Sequence, residues 1–200
     1  MECLLGVCCR DFVVLAADCN AGRSIFVMKQ DQDKLFKLDD RLAVVVAGES
    51  GDTTPFGEFI EKNVQLYKIR HGYSLSTHSA ASFVRKQLAD CLRRSPYFVN
   101  MLIGGHDGYD GGAALYFMDY LATMAKVPFG AHGYGSYLSL SILDKYYRED
   151  LTEQEAIELL GKCIAEIQKR LVLNMPNFKF HVIDKDGVRV VRDTAVEMES

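Results

Sequence analysis

Apolar positions along the chain keep two different rhythms. Near the start, Leu4–Cys9 and Phe12–Ala17 are short runs rich in strand-forming residues, parted by Arg10–Asp11, and together they predict a β-hairpin. Ile25–Met28, Lys34–Leu38 and Leu42–Ala47 predict further strands. The last is apolar throughout, as suits a strand covered on both faces. The glycines of AGESGD end it, and the period changes. Phe56, Phe59, Ile60, Val64 and Tyr67 recur at helical spacing and predict one apolar helix face. A second helix over about 76–93 turns Ala80, Val84, Leu88, Cys91 and Leu92 inward.

Strands near 99–104 and 113–118 follow, joined by the turn-rich GGHDGYDGG. A third helix is predicted from around Gly133–Gly135 to Tyr147. A fourth opens on the capping box Thr152-Glu-Gln-Glu155 and buries Ala156, Leu160, Cys163, Ile164, Ile167 and Leu171. Strands near 178–183 and 188–192 close the chain around the hairpin signal Asp186–Gly187. Strands, two helices, strands, two helices, strands is the order expected of two antiparallel sheets packed together, each covered outside by a helix pair. No repeat, low-complexity segment or linker interrupts it, so one domain over residues 1–200 is expected.

Charge and composition narrow the function. The chain carries a net charge of −4 and has no Lys/Arg run longer than two residues, which speaks against a nucleic-acid partner or an anionic membrane surface. The longest apolar runs, Phe12–Ala17 and Leu42–Gly48, fall far short of the roughly 18 residues of a membrane span. Glu2 and Arg10–Asp11 do not fit a signal peptide, and the chain reads as mature sequence. Its six cysteines form no CxxC pair and read as free thiols of a reducing compartment. Asp31-x-Asp33 and Asp184-x-Asp186-Gly187 lack the remaining ligands of a calcium loop, the histidines are scattered, and GAHGYG (130–135) reads as a tight turn. No metal and no cofactor is expected.

Five stretches in order carry a resemblance: FVVLAADCN with Asp18, DKLFKL with Lys34, VVVAGESGD running into a helix, AHGYGSYLSLSILDKYY, and VIDKDGVRVV. Together they resemble the β-type subunits of the 20S proteasome over nearly the whole chain. GESGDTTPFGEFIEKNVQLYKIRHGYSLS is most like the non-catalytic fourth β position of the eukaryotic ring. The resemblance implies an α+β fold, the four-layer αββα sandwich of N-terminal nucleophile hydrolases. It also implies partners: other β subunits and α-ring subunits in a 28-subunit barrel that serves ATP- and ubiquitin-dependent degradation in cytoplasm and nucleus.

Active members of that family attack a peptide carbonyl with an N-terminal threonine freed at a Gly–Thr junction, its own α-amino group taking the proton. A lysine held by an aspartate keeps the region positive, Ser and Asp side chains orient the amine, and a glycine N–H stabilises the oxyanion. Carried onto this chain, Asp18, Lys34 and Gly48 keep the family's residues, whereas the nucleophile's position falls on Glu2. The serine position falls on Tyr134, and the late Asp and Ser positions fall on Leu171 and Asn174. The threonines are Thr53, Thr54, Thr77, Thr123, Thr152 and Thr194, and no Gly–Thr dipeptide occurs. The sequence therefore implies a non-catalytic structural subunit, with Asp18–Lys34 a structural ion pair and the Gly48 amide left with nothing to stabilise. The alternative is an active threonine- or cysteine-type peptidase, for which Cys3 would have to be the nucleophile.

Overall fold

The central strands are buried almost throughout, their side chains pointing alternately into two covered faces, and three separate apolar layers result. The computed structural model describes residues 2–23, 26–108, 112–172 and 175–193. In chain order the strands are β1 (Cys3–Cys8), β2 (Val13–Asp18), β3 (Ala21–Arg23), β4 (Phe26–Lys29), β5 (Leu35–Asp39) and β6 (Leu42–Gly48). After helices α1 (Ser50–His71) and α2 (Thr77–Cys91) come β7 (Val99–His106), β8 (Ala113–Met118), β9 (Met124–Lys126) and β10 (Phe129–Gly133). Helices α3 (Ser136–Tyr146) and α4 (Glu153–Arg170) precede β11 (Phe178–Asp184) and β12 (Gly187–Asp193).

One sheet runs β10-β1-β2-β11-β12 and the other β5-β6-β7-β8-β9, with β3-β4 a separate ribbon; every pairing is antiparallel. Strand β2 shows how one sequence serves two layers. Val13, Leu15 and Ala17 meet Val45, Leu102 and Leu115 between the sheets, while Val14 and Ala16 face the layer under α3 and α4. That outer layer adds Leu143, Leu160, Cys163 and Ile167. On the far side, Phe56, Ile60, Val64, Val84 and Leu88 of α1 and α2 cover Val44, Val46, Met101 and Ile103. The architecture is the αββα sandwich, an α+β fold. The fourth helix starts on the expected capping box, with the Thr152 side chain accepting from the Glu155 N–H and Glu155 accepting from the Thr152 N–H.

Four local readings are corrected. GAHGYG is a turn only at its end: Gly130–Gly133 belong to β10, which pairs with β1 from Val7–Phe129 to Cys3–Gly133, and Tyr134 and Gly135 then turn into α3 at Ser136. Two glycines in five residues look like turn chemistry, but a neighbouring strand supplies the hydrogen bonds. β3 and β9, three residues each, are too short to show a period. On α1, Phe56, Ile60 and Val64 are buried but Phe59 is 44% exposed, because it flanks the stripe instead of lying in it. Cys91 and Leu92 at the end of α2, and Leu171 at the end of α4, are only half-buried. Asp184 serves its own turn, accepting from the N–H groups of Asp186 and Gly187.

Candidate functional site

The end of the sandwich near the start of the chain gathers four of the residues singled out by sequence: Glu2, Asp18, Lys34 and Gly48. Asp18 closes β2 and is fully buried, so each carboxylate oxygen needs partners. Oδ1 accepts the Cys3 N–H at 2.7 Å and Lys34 Nζ at 2.9 Å; Oδ2 accepts Lys34 Nζ at 2.9 Å and the Asn20 N–H at 3.1 Å. Lys34, just ahead of β5, is itself 3% exposed. The expected pairing of Asp18 with Lys34 is therefore present, and two backbone donors extend it.

Glu2 sits immediately before β1, and its carboxylate reaches two ways. Oε1 lies 3.4 Å from Lys34 Nζ, and Oε2 accepts the N–H of Gly48. Gly48 ends β6 with φ 153°, and a Cβ there would stand 1.9 Å from the Phe98 carbonyl oxygen, so only glycine presents its amide in this way. The expectation that this amide points at nothing is overturned. A carboxylate on the preceding strand end is long enough to reach it and also closes on the lysine. The signal lay in the residue type: an acid at the nucleophile's position, beside a retained lysine and a retained amide, has two donors to satisfy.

Cys3 is poorly suited to nucleophilic attack. Burial, reinforced by the Asp18 carboxylate, pushes its thiol well above the ordinary cysteine range, so it stays protonated. Its nitrogen is a peptide amide bonded to Asp18, not an amine. Burial likewise raises Cys8 to about 11 and Cys9 and Cys163 to about 12. Tyr134 lies in the turn between β10 and α3, one residue beyond the Cys3–Gly133 pair, and its side chain is 53% exposed. Leu171 caps α4 and packs into the apolar layer under α3 and α4. Asn174 lies outside the described residues. Among the described residues no cluster of His, Cys, Asp or Glu could hold a metal, and no helix is long and apolar enough to cross a membrane.

The chain belongs to the proteasome subunit family: the family model described as Proteasome subunit matches residues 2–183. It is 49% identical to Proteasome subunit beta type-2-A of Arabidopsis thaliana over 189 residues, covering 94% of this chain and 92% of that protein. It is 42% identical to Proteasome subunit beta type-4 of Saccharomyces cerevisiae, covering 96% and 98%. It is 37% identical to Proteasome subunit beta type-2 of Dictyostelium discoideum, covering 96% and 97%.

Proposed function

We infer that this chain is a non-catalytic, structural β subunit of a 20S proteasome core particle. It helps close the inner heptameric ring of a 28-subunit barrel, beside other β subunits and beneath the α ring, in ATP- and ubiquitin-dependent degradation in cytoplasm and nucleus. The observation that carries this reading is Glu2: where an active subunit presents its nucleophile, this chain presents a carboxylate tied to Lys34 and Gly48. A carboxylate engaged by both groups is not the hydroxyl and free amine that the family's attack requires, and it leaves no amide free for an oxyanion. Leu171 has no polar group to orient an amine, and Tyr134 puts a phenol on an exposed ring where the family has a serine hydroxyl.

A place in a ring accords with the β3–β4 ribbon. Phe26, Val27 and Met28 are 71%, 50% and 79% exposed in succession, a contiguous apolar strip of the kind that marks an interface. Ring protomers meet through different patches on their two sides. Lys34→Ala leaves Asp18 buried without its cation, at a cost of about 3–5 kcal/mol. Reduced incorporation into particles is expected, with each peptidase activity unchanged per assembled particle. Loss of one peptidase activity in fully assembled Lys34→Ala particles would contradict a non-catalytic role.

A further inference from the structure

Two anion-binding groups are built into the end of the sandwich, and one side chain of the same chain meets both. Gly48 offers an amide hydrogen fixed by a backbone conformation that other residues cannot copy. Lys34 has three ammonium hydrogens, and the two Asp18 oxygens take two of them. Glu2 Oε1 lies 3.4 Å from the same nitrogen as an ion pair, while the other oxygen of that carboxylate takes the Gly48 hydrogen. The lysine side chain is 2% exposed, so it cannot turn to water for a replacement partner. The Glu2 side chain is 18% exposed, so the site lies at a boundary that small solutes reach.

We propose that the Gly48 amide and the Lys34 ammonium form a carboxylate-binding site, and that Glu2 is its built-in ligand. The site is thus occupied in cis, at the place where a reacting oxygen would otherwise be polarised. Two donors held at different atoms suit the two oxygens of one carboxylate, whereas a single-centred anion such as chloride meets them one at a time. The Asp18–Lys34 pair is neutral as a unit. Recognition therefore depends on the Gly48 hydrogen bond and the short contact with the Lys34 ammonium, and a free carboxylate binds weakly unless it is tethered, as Glu2 is. Truncating Glu2 opens a vacancy that formate or acetate can fill.

The test is thermal unfolding of the full chain and of its Glu2→Ala variant, titrated with sodium formate or acetate against sodium chloride at constant ionic strength. Glu2→Ala is expected to melt about 3 °C or more below the parent. Formate should restore the loss saturably, with the parent unmoved and chloride without effect. Should Glu2→Ala not fold, Glu2→Gln provides a second reading, because it keeps an acceptor for Gly48 but no charge. Its Gly48 amide proton should move upfield of the parent's in a nitrogen-15 correlation spectrum, and formate should not shift it, since the site is filled. A Glu2→Ala variant as stable as the parent would overturn the proposal. So would formate raising parent and variant alike, or a Gly48 amide indifferent to Glu2→Gln.

Discussion

Asp18 and Lys34 were legible as a pair through the family resemblance alone; the structure supplies the physical reason, since each is buried and neither charge is tolerated there by itself. Glu2 was legible only as a loss. That it bridges Lys34 and Gly48 depends on how β1 lies beside β6, a relation between residues 46 positions apart that no local pattern encodes. His132 was invisible for the same reason. It looked like part of a turn, yet it is buried in β10, donates its Nε2 hydrogen to the Met101 carbonyl at 3.0 Å, and stacks on Phe117 at 4.1 Å. Burial holds its imidazole down at about 4, against 6.5 in the unfolded chain. The unfolded state therefore binds more protons between those values, and stability falls as pH drops through that window. The loss attributable to His132 is on the order of 3 kcal/mol by pH 4. Urea unfolding across this range should slope more gently in His132→Gln than in the parent; identical slopes would remove His132 as the cause.

Elements with a sustained period were legible whole: α1, α2 and α4, the N-terminal and C-terminal hairpins, and β6. Short or glycine-bearing strands were not, because their hydrogen bonds come from neighbours instead of from local preference. β10 is the clearest instance, and Gly133 shows the constraint at its end. With φ 78° and a Cβ position 1.8 Å from the Glu2 carbonyl oxygen, it admits no side chain. Gly133→Ala should cost more than about 1 kcal/mol, read as a lowered urea midpoint. Thr152→Ala, which removes one capping hydrogen bond from α4, should cost about 1 kcal/mol and leave the N-terminal end of the sandwich untouched.

Across the whole molecule, the order of elements was enough to anticipate the four layers, since each apolar face must find another. The three cores themselves emerge only from the register. The exposed strip Phe26-Val27-Met28 lies outside those cores, and the proposed place in a ring assigns it to an interface. Phe26→Ser with Met28→Ser should change the stability of the free chain by about 0.5 kcal/mol at most, since neither side chain is buried. The same pair should lower the share of chain recovered in ring particles by gel filtration; full recovery would assign the strip no part in the ring. The central claim is that the chain works in a ring without a processed nucleophile. Native mass spectrometry of the endogenous complex, dissociated so that the released chain is weighed, tests it most directly. The account predicts a chain with the mass of the sequence from Met1, bare or N-acetylated, released from a multi-subunit ring. A chain trimmed to begin at Cys3, or found free of any ring, would contradict it.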